Sequence, residues 1–282
     1  AGHKTSLDLA TLVAYDLQSG GYVQYVLDHP HFYQNWCRQT SSLLRPWMEP
    51  GDRLLEVGVG EATTLTGTAK FLNDLDPELM GLDLSWSRIK VAQEFAKSNQ
   101  VQARLFVGDA LNIPLADNSV DVLYTAHSLE PNLDREEAAI AECLRVACKA
   151  VVLIEPLYEL ASKQVQQRMD ALGYVRGLKA AAKRFEARVA DYRLLDVYSN
   201  PLNPSGVLTL IKDRASAQKS PASGYWQCPL TRAPLVDQGD MFAAPAVGLS
   251  YPVMRKIPLL RPEHAVISSL LACQADLDGE QK

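Results

Sequence analysis

Cysteine is scarce in this sequence and is not arranged for metal binding or cross-linking. Five of the 282 residues are cysteine, and no two of them form a Cys-x-x-Cys pair. Zinc ribbons and small disulfide-rich domains both depend on repeated spacings of this kind. We therefore predict no metal site and a reducing, cytoplasmic setting.

Long apolar runs and an excess of basic charge are also missing. No apolar stretch is long enough to cross a bilayer, and no signal peptide is visible. The formal net charge is -5 at pH 7, so overall electrostatics argue against a nucleic-acid partner. We expect no membrane partner.

What the sequence does contain is a regular alternation of strand and helix patterns between residues 51 and 155. Short apolar runs predict strands, and apolar residues at i, i+3, i+4 and i+7 predict helices. Because the strands are apolar throughout, the alternation predicts an α/β fold with a parallel sheet covered on both faces. The predicted strands are 53–57, 79–84, 104–107, 120–126 and 150–155, and the predicted helices are 61–75, 85–98 and 134–147.

The pattern changes after Pro156, where two helical segments precede two strands. The connection between the strands is too short for a helical crossover, so they are predicted to pair antiparallel at a sheet edge. The helices are predicted at 157–171 and 175–190, and the strands at 192–199 and 206–212.

Both ends of the chain differ from this central region. Residues 4–50 predict a helical cap, and seven of the 21 aromatic residues lie between Tyr15 and Trp47. The cap either packs on the sheet or forms a lid, with Tyr22 as an aromatic neighbour of a bound cofactor. Residues 214–224 predict a linker, and residues 225–272 predict a small module rich in short strands.

The segment from Leu54 to Ala62 contains the most informative motif. An apolar strand with Glu56 near its end is followed by Gly58 and Gly60, two residues apart, and then by a helical pattern. Such a turn lets a ligand lie against bare backbone at a helix N-terminus. A dinucleotide-binding turn would have a third glycine at Thr63, and its absence argues against a nicotinamide-dependent oxidoreductase.

Two further carboxylates follow the next two predicted strands. Asp83 ends the second strand, where a carboxylate can accept hydrogen bonds from both ribose hydroxyls of an adenosine. Asp109 follows the third strand and could accept from the exocyclic amine of adenine. Glu56 suits a ligand with an ammonium group. Each aspartate alone would more often be a helix cap or turn residue, but three acidic strand ends around one glycine turn favour a shared ligand.

These motifs resemble those of class I S-adenosylmethionine-dependent methyltransferases, and are most similar to the broad group of small methyltransferases whose first motif is acidic-x-Gly-x-Gly. The resemblance covers roughly residues 51–213 and implies a Rossmann-like, seven-stranded sheet that ends in an antiparallel hairpin. It also implies S-adenosyl-L-methionine as the cofactor. The segments that carry the resemblance are 54–62, 81–88, 106–111 and 121–132.

The resemblance also implies roles for particular residues. The cofactor would contact its methionine end at Glu56, Gly58 and Gly60, its ribose at Asp83, its adenine at Leu84, Asp109 and Ala110, and its methyl group near Ala126 and His127.

The C-terminal module resembles a small zinc-ribbon-like family whose members activate tRNA and release-factor methyltransferases. The resemblance rests on residues 226–231, 249–253 and 257–260. Only Cys228 matches the paired zinc cysteines of that family, so we expect a degenerate ribbon without metal. Its predicted role is stabilisation or the contact of a homodimer.

Catalytic candidates lie after the fourth predicted strand, and substrate candidates lie in the insertion at residues 157–191. His127 acts as a general base, contacts the cofactor or is a structural histidine with satisfied hydrogen bonds. Glu130 either orients the acceptor or fixes the loop. Basic residues cluster in the insertion and form either a solvated face or a wall for an anionic acceptor. Our substrate candidates are Tyr158, Arg168, Tyr174 and Arg176.

The sequence thus favours methyl transfer to a small-molecule acceptor, a natural-product or sugar intermediate with an anionic group, by in-line displacement. The amine-methylating signature of the resembled family, Asn/Asp-Pro-Pro-Tyr/Phe, is absent after the fourth predicted strand, so the resemblance argues against adenine-N6 and glutamine-amide acceptors. Two alternatives remain open. One is a methyltransferase for tRNA or a translation protein, and the other is a non-catalytic cofactor-binding protein.

Overall fold

The computed structural model describes residues 13–14, 16–130, 134–185, 187–212 and 224–269. Its centre is a seven-stranded sheet in the order β3-β2-β1-β4-β5-β7-β6. Strands β1 to β5 run parallel, and β7 is antiparallel to both β5 and β6. The strands are β1 Arg53–Val57, β2 Glu78–Asp83, β3 Arg104–Val107, β4 Val120–Ala126, β5 Ala147–Pro156, β6 Arg188–Leu194 and β7 Ser205–Ile211.

This sheet confirms the predicted α/β class with a terminal antiparallel hairpin. Every residue of β1 and β7 is buried, as expected for strands covered on both faces. The strand order reverses between β1 and β4, and ligands bind at such a switch point at the carboxyl ends of the strands.

Seven α-helices lie between residues 21 and 183 of the described chain, and they flank the sheet. Helices α1 and α2 belong to the N-terminal cap, α3 to α5 connect the parallel strands, and α6 and α7 precede the hairpin. They are α1 Gly21–Asp28, α2 Pro30–Leu44, α3 Thr63–Ala69, α4 Trp86–Ser98, α5 Glu136–Val146, α6 Lys163–Leu172 and α7 Leu178–Lys183. None of these helices has the length and hydropathy needed to cross a bilayer.

Two predicted boundaries before the hairpin are wrong. The helix expected at 175–190 ends at Lys183, and β6 already begins at Arg188. Pairing of β6 with β7 overrides the helical preference of the local sequence, because the ladder satisfies the backbone groups of this edge strand. The helix expected at 157–171 begins only at Lys163, where the Ser162 hydroxyl accepts a hydrogen bond from the Val165 amide.

The small C-terminal sheet packs against the edge of the large one. The Leu260 amide donates to the Val107 carbonyl oxygen at 2.9 Å, and the ring of Trp226 lies 4.9 Å from that of Phe106 and 5.2 Å from that of Phe242. The predicted linker at 214–224 lies outside the described residues except for Gly224. The strands of this sheet are β8 Val236–Asp237, β9 Met241–Ala244, β10 Leu249–Met254, β11 Ile257–Pro258 and β12 Val266–Ile267.

Candidate active site

The glycine turn lies between β1 and α3 and needs glycine at both positions for different reasons. Gly58 has φ +73°, and a Cβ atom there would lie 2.1 Å from the Cβ atom of Ser128. Gly60 has φ +53°, but a Cβ atom there would meet nothing within 4 Å. The turn is therefore tightly packed at Gly58 and faces open space at Gly60, where a ligand can lie against the backbone.

Asp83 connects the end of β2 to this turn. Its Oδ2 atom accepts from the Gly60 amide at 3.0 Å, and its Oδ1 atom accepts from the Ser85 amide at 2.9 Å. Burial raises the pKa of the Asp83 carboxyl above its ordinary range, and these amides and Arg88 lower it in part. Asp83 thus shapes the turn. Its contact with a ribose stays a prediction.

Glu56 lies beneath the turn and does not line the cavity described below. It is 2% exposed, and its Oε2 atom accepts a hydrogen bond from the Tyr124 hydroxyl at 2.7 Å. Burial raises the pKa of the Glu56 carboxyl to about 8, although the bond from Tyr124 lowers it in part. A contact with the ammonium group of a ligand stays a prediction.

The residues expected at the adenine lie at the ends of β2 and β3 and are half-buried. Asp109 accepts from the Leu111 amide at 2.9 Å, which fixes the turn after β3. The Asn112 side chain donates to the Pro229 carbonyl oxygen at 2.7 Å, so the C-terminal module holds the same turn. The structure thus brings Leu84, Asp109 and Ala110 to the same end of the sheet as Gly60 and Asp83.

A cavity of about 760 Å³ opens beside the turn, between the N-terminal helices and the ends of β4 and β7. Its apolar wall comes from α1 and α2, and its polar wall from the loops after β4 and before β7. Tyr22 lines it and packs against Arg88, whose guanidinium carbon lies 5.1 Å from the ring centre. The aromatic lining residues are Tyr22, Tyr25, Phe32, Tyr33 and Trp36, and the polar ones include Arg88, His127, Glu130, Asn203 and Ser205.

Glu61 fastens the N-terminal helices to the glycine turn. This carboxylate is 1% exposed, and its two oxygens accept from the amides of Gly20 and Val23, both at 2.7 Å. Because these amides lie at the N-terminus of α1, Glu61 caps that helix from about 40 residues away. The sequence offered no signal for this role, since the partner of a distant cap is not local.

His127 directly follows β4 and has φ +56°. Its Nδ1 atom contacts Glu130 Oε1, and its Nε2 atom lies 2.6 Å from Ser205 Oγ. Burial lowers the pKa of His127, but Glu130 and Glu155 outweigh burial and hold it above its ordinary value. The structure therefore brings the predicted pair His127 and Glu130 together at the cavity.

Glu155 on β5 has no recognisable signal in the sequence and supports the same loop. It is fully buried, and its Oε1 atom accepts from the amides of Ser128 at 3.1 Å and Leu129 at 3.2 Å. Burial raises its pKa to about 7, and the neighbouring His127 lowers it in part. Glu155 thus fixes the backbone that carries His127.

None of the four substrate candidates lines the cavity. Tyr158 and Arg176 both bind Asp170, at 3.1 Å and 2.9 Å, on the protein surface. The guanidinium carbon of Arg168 lies 5.6 Å from the centre of the Tyr174 ring. Tyr174 also lies beside Glu130, and its pKa is raised first by burial and then by this carboxylate. The insertion therefore packs behind Glu130. Its four candidate residues do not form the expected basic wall for an anionic acceptor at the cavity.

Other basic residues near the insertion pair with carboxylates of this chain. Arg184 binds Glu137, and Arg193 binds Asp191 at 3.1 Å. In the described part of the chain no group of three His, Cys, Asp or Glu residues is placed to hold a metal ion. Cys228 instead lies 3.2 Å from the Tyr251 hydroxyl.

Residues 54–149 match the protein family described as methyltransferase domain. Ajmaline N-methyltransferase from Rauvolfia serpentina is 31% identical over 103 residues, which are 36% of this chain and 34% of that protein. A ubiquinone/menaquinone biosynthesis C-methyltransferase from Dinoroseobacter shibae is 36% identical over 114 residues, 39% of this chain and 44% of that one. The chain thus spans less than half the length of these relatives.

The fold also matches solved structures. Magnesium protoporphyrin IX methyltransferase from Synechocystis PCC 6803, solved with bound SAH, superimposes with a TM-score of 0.52 at 14% identity. The match covers 64% of this chain and 84% of that one. At this identity the likeness concerns the fold.

Together the sheet order and the family match identify a class I methyltransferase domain, whose cofactor is S-adenosyl-L-methionine. The chain's own residues fit this cofactor, because the space over Gly60 is open and lies beside the Asp83 carboxylate and the cavity.

Proposed function

We propose that the protein transfers the methyl group of S-adenosyl-L-methionine to a small molecule bound in the 760 Å³ cavity. The position of this cavity supports the proposal. The helix that follows the glycine turn forms one part of its wall, through Thr63 and Thr64, and His127 and Glu130 form another. A donor on the turn and an acceptor in the cavity would thus meet at the end of β4.

The cofactor would supply an activated methyl group, so the protein mainly has to bind, align and desolvate the reactants. In the proposed complex Gly58 and Gly60 lie against the methionine end and Asp83 holds the ribose. Leu84, Asp109 and Ala110 surround the adenine, and Ala126 lies near the methyl group. Tyr22 closes the site from the N-terminal side.

The cavity supports an acceptor with an apolar, flat body and one protic group. Five aromatic side chains line its apolar wall, and rings of this kind pack well on planar ligands. Glu130 and His127 form the polar end, where a hydroxyl, an amine or an activated carbon acid would lie. Arg88 is the cavity residue that could meet an anionic group of the acceptor.

Cofactor binding is tested with Gly60→Ala and a matched control, Gly51→Ala. Both glycines have positive φ, +53° and +77°, and neither has an atom within 4 Å of an added Cβ atom. Both variants should therefore lose similar stability, about 1–2 kcal/mol. Only Gly60→Ala fills the predicted cofactor site, so calorimetry should show at least a roughly tenfold weaker Kd for S-adenosyl-L-methionine.

The acceptor class is tested by methyl transfer from radiolabelled cofactor to a panel of small molecules. The panel contains phenols, aromatic amines, quinols and aromatic carboxylic acids, each acid paired with its neutral amide. Total tRNA is included as a rival acceptor. Turnover of an aromatic small molecule supports the proposal. Labelling of tRNA alone would contradict it, and so would unchanged cofactor affinity in Gly60→Ala or tight cofactor binding without any turnover.

A further inference from the structure

The contacts of His127 define its tautomer. An ionised Glu130 carboxylate only accepts hydrogen bonds, so the Nδ1 atom of His127 that contacts it must carry the proton. In the neutral ring the Nε2 atom then has a lone pair and accepts. The group 2.6 Å from that nitrogen is the Ser205 hydroxyl, which must donate to it.

Both nitrogens of His127 are therefore occupied, and the ring cannot reach an acceptor without losing a partner. Ser205 is the first residue of β7, lies at the cavity wall and is otherwise buried. Its oxygen keeps a lone pair while its proton points at His127. Ser205 and His127 both line the cavity, so a protic group bound beside them can donate to Ser205 Oγ while both imidazole nitrogens keep their partners.

Asn203 supports the same chain of hydrogen bonds. Its Nδ2 atom donates to Glu130 Oε1 at 3.2 Å, which stabilises the ionised carboxylate that orients His127. Its Oδ1 atom is buried and has no hydrogen-bond partner among the described residues, although Asn203 lines the cavity. An unpaired buried oxygen at this wall is suited to accept from a ligand hydroxyl or amine.

We propose that Ser205 is a catalytic residue that takes the proton of the acceptor and relays it to the His127–Glu130 pair, while Asn203 positions Glu130. The proposal rests on the proposed function. The acceptor atom forms a bond to the methyl carbon as the bond from that carbon to sulfur breaks and its electron pair stays on sulfur. The acceptor proton moves to Ser205 Oγ, and the Ser205 proton moves to His127 Nε2. The resulting imidazolium donates its Nδ1–H to Glu130.

The direction of the hydrogen bond between Ser205 and His127 can be measured without an acceptor. Nitrogen-15 NMR of labelled histidine in the full chain follows the titration of His127 in wild type and in Ser205→Ala. If Ser205 donates, the variant loses a bond to the neutral ring and the pKa of His127 rises. A fall would mean that the ring donates to Ser205, and no change would mean that the bond is unimportant. Either result overturns the relay.

Turnover is measured with whichever panel acceptor is methylated fastest. Ser205→Ala should lower kcat about 100-fold or more, the size typical of general acid–base catalysis, with cofactor affinity unchanged. Threonine and valine side chains have the same shape. Comparing Ser205→Thr with Ser205→Val therefore separates the effect of the hydroxyl group from the effect of side-chain size. The threonine variant should keep most of the activity and the rise of kcat with pH as His127 loses its proton. The valine variant should lose both.

The charged groups near His127 are Glu130 on its own loop and Glu155 on β5, with Arg168 behind Tyr174 on the far side of Glu130. None of them changes in these variants, so an altered pH profile reports on Ser205. Equal kcat in the threonine and valine variants would overturn the relay and leave the proposed function standing. Absence of methyl transfer by wild type to every acceptor would remove both.

Discussion

At the scale of single residues, Glu56 lies at the turn where its motif predicts it, and its contact with a ligand stays a prediction. The glycine spacing of the motif predicts that Glu56 lies at the turn. In the structure its side chain lies beneath the backbone of the turn and not in the cavity. Its carboxyl is kept neutral by burial, with a pKa of about 8. A protonated glutamic acid beside the cofactor site makes the stability of the fold depend on pH.

We expect Glu56 to weaken the fold as pH rises. Its pKa is about 4.5 when exposed and about 8 when folded, so its contribution is complete below pH 4.5 and is lost as pH rises through 8. Between these values wild type should lose about 1.4 kcal/mol per pH unit relative to Glu56→Gln, which can still accept from Tyr124. Urea unfolding of both proteins at pH 5, 6, 7 and 8 measures this difference. Parallel pH curves would contradict the prediction.

The sequence could predict those site residues that have local signals. Gly58, Gly60, Asp83 and His127 follow strands that are visible as apolar runs, and their shared edge follows from a parallel sheet. Glu61, Glu155, Asn203 and Ser205 could not be recognised, because each acts on a partner at least 26 residues away. Long-range hydrogen bonds between a loop and a distant helix or strand leave no periodic trace in the sequence.

At the scale of elements, the first helix depends on a residue outside it. Helix α1 has eight residues and no side-chain cap of its own, and short isolated helices are marginal in water. The Glu61 carboxylate replaces the missing cap. The order of the N-terminal cap is thereby coupled to the glycine turn.

Replacing Glu61 by alanine should release α1 selectively. Loss of two charge-assisted hydrogen bonds is expected to cost about 2–3 kcal/mol of local stability. Hydrogen exchange should accelerate at residues 20–28, while the amides of β5 keep their protection. Glu61→Gln retains one acceptor oxygen and should give an intermediate rate. Uniform acceleration throughout the chain would show that Glu61 supports the whole fold instead.

The elements with wrongly predicted boundaries lie where tertiary contacts compete with the local preference for helix or strand. The parallel strands agree with their predictions within a few residues, because burial on both faces makes them apolar from end to end. The helix predicted at 175–190 overlaps the start of β6, and the strand predicted at 192–199 covers only its end, since the exposed edge of β6 carries polar residues that are compatible with either structure. Pairing with β7 decides the outcome, and pairing is not encoded locally.

At the scale of the whole molecule, the C-terminal sheet and the methyltransferase domain share a hydrophobic cluster. Trp226 is 8% exposed and packs between Phe106 of the large sheet and Phe242 of the small one. The two sheets should therefore unfold together, although they form separate hydrogen-bonded ladders. The module's resemblance to a ribbon and its role in stabilisation stay predictions.

Trp226→Ala should destabilise both parts in a single transition. Removal of a buried aromatic ring costs about 3–5 kcal/mol, and Trp226→Phe should restore a large share of it. Calorimetry gives the number of transitions and the shift in Tm. A separate early transition in the variant, with the main Tm unchanged, would show that the module folds independently.

The contact between the C-terminal module and the edge strand β3 also affects how copies of this chain can assemble. A strand at a sheet edge offers its backbone to other chains, and at Val107 that position is taken by Leu259 and Leu260. The opposite edge, β6, carries the charges of Arg188, Asp191 and Arg193, which disfavour strand addition. A homodimer of this protein is therefore not expected to extend the large sheet through two subunits.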